Sequence, residues 1–219
     1  MKILELFSGT QSVGEVCKEK GYEVISVDID DYKGQYIPTH KVDIMNFDYK
    51  KYNKNDFDII WASPPCISYS NLQYTWLGRY RINKKTGKKY IFTMKHLEKD
   101  MKEADKLVKR TLKIIKYFKP RLWFIENPKT GRLCKRDIMK DIPYYNVDYC
   151  MYCNWGYKKS TTIWTNKKDF KPLTCNKKCG NIDKDGIHKV LIGGFYKKTW
   201  KTKFETYKIP EKLIKKLLE

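Results

Sequence analysis

Apolar positions open the chain as a short run, KILELF at residues 2–7, which breaks at SGTQSVG; EVCKEKG then continues as a helix. Gly21 ends that helix, because glycine takes the left-handed cap conformation without a Cβ penalty. A second apolar run, YEVISVDID, reads as the next strand. Strand, glycine-bearing turn, helix and strand within about 30 residues form the opening of a doubly wound parallel sheet, an α/β architecture. Further strands are expected at 41–44, 57–62 and 121–125. Between residues 94 and 119, Leu97, Met101, Leu107, Val108, Leu112, Ile115 and Phe118 recur close to the helical period, with lysines and glutamates between them. That pattern predicts one long amphipathic helix over the sheet, ended by Pro120. YNVDYCMYC and STTIWTN predict two antiparallel strands joined by a turn at 154–156, and PEKLIKKLL a short closing helix with Pro210 at its first position.

Two of the apolar runs end alike. FDIIWASPPC, residues 57–66, and RLWFIENP, residues 121–128, both stop at polar residues and proline. Pro64-Pro65 forbids helix and further ladder pairing, so Cys66 is held just beyond the carboxyl end of a strand, where open α/β sheets place their ligands. A thiol there is a candidate nucleophile. In the first turn, glycines at both ends, Gly9 and Gly14, allow a tight turn and close approach of a ligand at a helix N-terminus. Asp28, at the end of the second strand, can accept from ribose hydroxyls, so turn and acid together describe an adenosine-type cofactor.

Charge narrows the partner. The 219 residues carry 46 Lys+Arg against 25 Asp+Glu, a formal +21, far beyond what solubility requires, which points to nucleic acid. Within 77–92, LGRYRINKKTGKKYIF predicts a hairpin whose cations, Arg79 and Arg81 among them, alternate with aromatic residues suited to phosphate contact and stacking. No run approaches the roughly 18 apolar residues of a membrane span, and MKILELFSG lacks the features of a signal peptide, so a soluble intracellular protein is expected. Seven cysteines, an odd number, then argue for reduced thiols with catalytic or metal roles. Cys150-x2-Cys153 and Cys175-x3-Cys179 could close a tetrahedral zinc site that staples a small lysine-rich segment, and His188 could replace one of the four.

The blocks ELFSGTQSVG, VDID, VDI, ASPPC and IENP, in that order, resemble the cytosine-C5 methyltransferases. SPPC, FIENP, the IWTN strand and the terminal IP helix are closer still to the short phage and viral members. The resemblance implies a Rossmann-like, S-adenosylmethionine-dependent core over 1–166, a small basic substrate-binding insert over 167–205, zinc-stapled if the cysteines serve that purpose, and a C-terminal helix over 206–219 returning to the core. It implies methyl transfer to C5 of a flipped cytosine in DNA, with Cys66 as nucleophile and Glu126 at N3 and the exocyclic amine. Phe7 would pack on the adenine, Ser8, Gly9, Gly14 and Pro64 would lie along the cofactor, Asp28 would hold the ribose, and Asp43 with Ile44 would meet the adenine edge. Asn127 would shape the floor of the base pocket, and Lys158 and Lys159 would stand in for the arginines of larger members.

Cysteine and glutamate together make chemical sense without the family. C5 of cytosine becomes nucleophilic only after a thiolate adds to C6, and a carboxyl sharing a proton with N3 stabilises the charge so produced. The chain departs from the family at Gln11, where a second glycine is usual, and at Pro128, where valine is. Only residues 167–205 are available for target recognition, so sequence readout should be short or degenerate. RNA is the alternative substrate, and a methyltransferase-like binding protein without turnover is the second alternative. A monomer from a virus or phage, working in the host cytoplasm or nucleus, completes the expectation.

Overall fold

The computed structural model describes residues 1–83, 85–190, 192 and 203–219. Its strands in chain order are β1 (Lys2–Leu6), β2 (Glu23–Asp28), β3 (His40–Lys41), β4 (Ile59–Ala62), β5 (Tyr80–Ile82), β6 (Lys89–Ile91), β7 (Leu122–Pro128), β8 (Tyr144–Asp148) and β9 (Ser160–Thr165). The helices are α1 (Ser12–Glu19), α2 (Met94–Phe118), α3 (Lys203–Tyr207) and α4 (Glu211–Leu218). Among the described residues, seven strands form one sheet in the order β3-β2-β1-β4-β7-β9-β8, and β5 and β6 form a separate hairpin. β1 pairs in parallel with β2 and β4, and β4 with β7, whereas β9 is antiparallel to both β7 and β8. The doubly wound α/β expectation is therefore met, with the order reversing between β1 and β4. Ligands of such sheets bind at the carboxyl ends of the strands beside that reversal.

β4 is the unbroken apolar run IIWA because both of its faces are covered. Ile60 and Ala62 pack with Leu4, Ile125 and the α2 residues Leu97, Met101, Val108 and Ile115. Ile59 and Trp61 pack on the other face with Ile3, Phe124, Val13 and Val16 of α1, and Leu213, Ile214 and Leu217 of α4. Thus α4, at the end of the chain, lies against α1 near its start. No helix among the described residues is long and apolar enough to cross a membrane.

Three local departures from the sequence pattern matter for the site. β3 covers only His40–Lys41, so Asp43 and Ile44 sit beyond the strand, where Asp43 Oδ1 accepts from Met45 N–H at 2.8 Å in a side-chain-closed turn. β8 stops at Asp148 and gives way to a 3₁₀ turn at Tyr149–Met151 instead of running on through Cys153. Val147, Asp148, Tyr149 and Cys150 are buried in succession, which a two-residue alternation cannot achieve but a turn can. The third departure is at Gly14. Its N–H donates to Glu5 Oε2 at 3.1 Å, and a Cβ there would come within 2.6 Å of the same oxygen. Glycine is thus required to seat α1 on a buried carboxyl of β1, a packing reason that the sequence pattern did not show.

Burial pushes that Glu5 carboxyl from its ordinary 4.5 up to about 8. The folded protein consequently holds a proton that the unfolded chain releases, and stability declines as pH rises through this window, levelling off above it. Between pH 5 and 9, chemical denaturation should show the cofactor-free protein losing on the order of a few kcal/mol relative to Glu5→Gln, which lacks the titration. Parallel pH profiles for the two proteins would contradict a proton on Glu5.

Candidate active site

A cavity of about 970 Å³ opens at the carboxyl ends of β1, β2, β4 and β7. One end is built by the turn after β1. Phe7, Gly9 and Gln11 have φ of 55°, 49° and 52°, a left-handed zigzag that tightens the turn. Gly9 N–H donates to Asp28 Oδ2 at 2.8 Å, and Asp30 N–H to Asp28 Oδ1 at 3.0 Å, so the carboxylate is oriented with lone pairs still to offer. Phe7 and Ile44 line the same end with apolar surface. Ser8 Oγ is buried there with no protein partner, an orphaned hydroxyl beside the cavity. Apolar walls, an acceptor carboxylate and an unsatisfied hydroxyl fit a ligand with a flat aromatic part and a hydroxylated ring. Asp43 also lines this end. Its loop is fixed from α2 by Arg110, whose Nε donates to Ile44 O at 3.2 Å and Nη2 to Phe47 O at 2.9 Å.

Cys66 and Glu126 line the other end, from the loop after β4 and from β7 respectively. Cys66 stands at the head of a 3₁₀ turn, Ile67–Tyr69. Tyr69, fully buried, anchors that turn by donating to Asp105 of α2 at 2.9 Å; Arg136 Nη2 reaches the same carboxylate at 2.6 Å. Asn127 Nδ2 donates to Pro64 O at 2.8 Å, clasping the proline turn to β7. Asn127, with 1% of its surface exposed, is a clamp between the two strand ends, and its Oδ1 is buried beside the cavity without a hydrogen-bond partner, one acceptor still to offer there.

Glu126 is buried, and its Oε1 accepts from the Tyr149 hydroxyl at 3.0 Å, with Lys159 Nζ 3.8 Å away. Lys159 also donates to Thr206 O at 3.0 Å and lies 4.9 Å from the centre of the Tyr149 ring. Burial pushes the Cys66 thiol up, the Glu126 carboxylate adds to this, and Lys159 opposes it. Lys158 lines the cavity and pairs with Asp148 at 3.3 Å.

Arg79 and Arg81 are not brought to the cavity. Arg79 is exposed at the base of the β5–β6 hairpin. Arg81 stacks 3.8 Å from the Phe92 ring centre and 5.1 Å from that of Trp76, and its Nη2 donates to Gln73 Oε1 at 2.7 Å. Its planar fork fastens the hairpin to the 3₁₀ helix Asn71–Trp76, a structural task that the sequence did not assign to it. The cysteine cluster also differs from expectation by one member. Cys150, Cys175, Cys179 and His188 converge, whereas the Cys153 thiol turns back to donate to Tyr149 O at 3.1 Å.

Residues 1–142, which contain both Cys66 and Glu126, match the family described as C-5 cytosine-specific DNA methylase. The chain belongs to that family. A protein of Frog virus 3 (isolate Goorha) named "Probable DNA (cytosine-5)-methyltransferase" is 37% identical over 189 residues, covering 84% of this chain and 80% of the viral one. Among solved structures, S. pombe Dnmt2 methyltransferase is similar over 79% of this chain and 51% of its own, at 14% identity and a TM-score of 0.43. A variant of Spodoptera frugiperda DNMT2 is similar over 80% of this chain and 53% of its own, at 17% identity and a TM-score of 0.40. The chain spans about half the length of these solved structures.

As a C-5 cytosine-specific DNA methylase the chain is an S-adenosylmethionine-dependent transferase. The walls at the Phe7–Asp28 end suit that cofactor's adenosine part. Two residues of this methylase that the sequence did not disclose are Tyr149 and Arg110. Tyr149 lies in a stretch that reads as a continuing strand, and Arg110 is one cation among many along α2; only the fold brings either to the site.

Proposed function

We propose that this chain methylates C5 of an extrahelical cytosine in DNA through a covalent bond between Cys66 Sγ and C6 of the base. The observation that carries it is a thiol and a carboxyl reaching one cavity from the ends of adjacent parallel strands, β4 and β7. A stacked base cannot enter such a cavity, so the cytosine must be flipped or single-stranded. Attack by the thiolate forms the S–C6 bond and moves the C5=C6 electron pair into the ring. A proton shared between Glu126 and N3 neutralises the charge that results. Tyr149 occupies one carboxyl oxygen of Glu126, which leaves the other for N3 and the exocyclic amine. When bound, S-adenosylmethionine supplies an electrophilic methyl on a sulfonium. Phe7, Ser8 and Asp28 hold and orient it, and Pro64 with Asn127 keeps the thiol loop in register. The methylated base then loses its C5 proton to water, and breakage of the S–C6 bond returns Cys66.

The charge around Cys66 gives the cycle an order. While Glu126 is a carboxylate, it disfavours the thiolate beside it; once Glu126 shares a proton with the base, Lys159 is left to favour the thiolate. Iodoacetamide should accordingly modify Cys66 slowly in the free protein at pH 7 and quickly only above pH 9, the ordinary thiol value. Glu126→Gln, which removes the opposing charge, should speed modification at any given pH. Mass spectrometry of the Cys66 peptide measures both, and equal rates at pH 7 and 10 would contradict a suppressed thiol.

The division of labour is a catalytic core over 1–166, a basic insert over 167–205 and a closing helix over 206–219, in a monomer acting in a host cell's cytoplasm or nucleus. The host-cell setting is supported by a relative that is viral and matches 84% of this chain. A stapling metal in the insert supports the fold and takes no part in transfer. Incubation with labelled S-adenosylmethionine and duplex DNA, followed by digestion to nucleosides, should yield label in 5-methylcytidine of the deoxy series. Label in another nucleoside, or none with folded, cofactor-binding protein, would overturn the assignment.

A further inference from the structure

We propose that Cys150, Cys175, Cys179 and His188 bind one zinc ion, which fastens the segment after β9 to the turn that carries Tyr149. One ligand atom from each of the four residues lies within 4.8 Å of all the others. His188 Nε2 is 3.6 Å from Cys175 Sγ and 3.5 Å from Cys179 Sγ. In a tetrahedral site with Zn–S near 2.3 Å and Zn–N near 2.0 Å, sulfur and nitrogen stand roughly 3.5 Å apart. The two edges from His188 therefore have the size of those in a zinc shell. Three thiolates and an imidazole are soft and borderline donors that suit zinc and not magnesium or calcium. The cysteines are unbridged by disulfides.

The surroundings are those of a built site. Cys175 N–H donates to Asp148 Oδ2 at 2.7 Å, and Lys177 N–H to Cys175 Sγ at 3.3 Å, a contact that supports a thiolate. Asn181 is buried and ties the two ligand-bearing stretches together. Its Nδ2 donates to Cys150 O and Cys153 O, each at 2.8 Å, and its Oδ1 accepts from Gly156 N–H at 3.0 Å. An isolated bridge between Ile182 and His188 turns the chain so that the imidazole returns to the thiols.

A metal also explains how this segment holds a shape. Between residues 171 and 190 the one buried side chain is that of Asn181, and no apolar side chain there is buried. Such a stretch, with Leu173 only partly buried against the core, has little apolar burial with which to offset the entropy of ordering it, and a metal of high affinity supplies free energy. The consequence reaches the catalytic residues, because Cys150 follows Tyr149, and Tyr149 holds Glu126. Zinc binding stands independently of the proposed transfer chemistry; only its effect on turnover rests on that chemistry.

The 219-residue protein purified without added metal should contain about one zinc per chain by mass-spectrometric metal analysis. The Cys175→Ser/Cys179→Ser double variant should lose about tenfold or more of this content, while Cys153→Ser keeps it. Because the double variant may fail to fold, wild-type protein provides the second arm. Stripping its zinc with a chelator should lower the thermal midpoint, equimolar zinc should restore it, and cobalt in its place should show the visible bands of a tetrahedral thiolate site. A well-folded wild type that is metal-free and unmoved by zinc would overturn the proposal, as would loss of zinc in Cys153→Ser. Zinc present without any loss of methyl transfer on its removal would leave the site standing and remove its link to Tyr149.

Discussion

Cys66→Ser is expected to abolish methyl transfer to DNA, by about four orders of magnitude or more, while S-adenosylmethionine binds within about twofold of its wild-type affinity. The two parts of that expectation come from different ends of one cavity. Serine keeps the shape of the side chain, but its hydroxyl ionises far less readily than a thiol and cannot add to C6 at neutral pH. The end proposed for the cofactor is lined by Phe7, Ser8 and Asp28, and the Asp28 carboxylate is oriented by the N–H groups of Gly9 and Asp30, not by Cys66. Single-turnover transfer of labelled methyl and calorimetric titration of the cofactor measure the two separately. Unchanged turnover would remove the covalent mechanism; loss of cofactor binding as well would mean that the thiol loop and the first turn are one cooperative unit.

Glu126→Gln should be nearly as severe, lowering kcat by about 10²- to 10⁴-fold, because an amide has no proton to share with N3. Tyr149→Phe separates positioning from chemistry. It removes the 3.0 Å bond to Glu126 Oε1 and leaves a buried acceptor unsatisfied, which costs about 1–2 kcal/mol, or roughly tenfold in kcat. KM for the cofactor should not change in either variant, since Tyr149 is outside the cofactor end of the cavity. A fall in kcat for Glu126→Gln no larger than that for Tyr149→Phe would show that the carboxyl acts only as a spacer.

Much of this site can be read in the one-dimensional chain because its parts are local. A buried strand, a proline and a reactive residue occupy consecutive positions at 57–66 and again at 121–128. The parallel pairing of β4 and β7 then brings the two ends together without any further information. The long period of α2 was equally plain, and its predicted span of 94–119 differs from Met94–Phe118 by one residue. What could not be read depends on contacts between residues distant in sequence. Gly14 reads as a ligand-approach glycine, and only the fold shows Glu5 beneath it; Arg81 reads as a phosphate ligand, and only the fold shows it close to the Phe92 and Trp76 rings. Asn127 follows Glu126 and reads as a substrate contact, and the clasp its Nδ2 makes with Pro64 O, 63 positions away, is visible only in the fold. Likewise, spacing alone favours Cys153 over His188 as a metal ligand, and the 3₁₀ turn after β8 reverses that choice.

The central claim is a covalent bond between Cys66 and a cytosine of DNA. A DNA oligonucleotide carrying 5-fluorocytosine blocks loss of the group at C5 after methylation, so a covalent intermediate is trapped. With S-adenosylmethionine present, the account predicts a denaturation-resistant protein–DNA adduct, mapped by mass spectrometry to the Cys66 peptide, absent in Cys66→Ser and absent with a matched RNA. An adduct formed with the RNA alone would assign the same chemistry to the other nucleic acid. No adduct with the DNA, from protein that binds both it and the cofactor, would contradict the account.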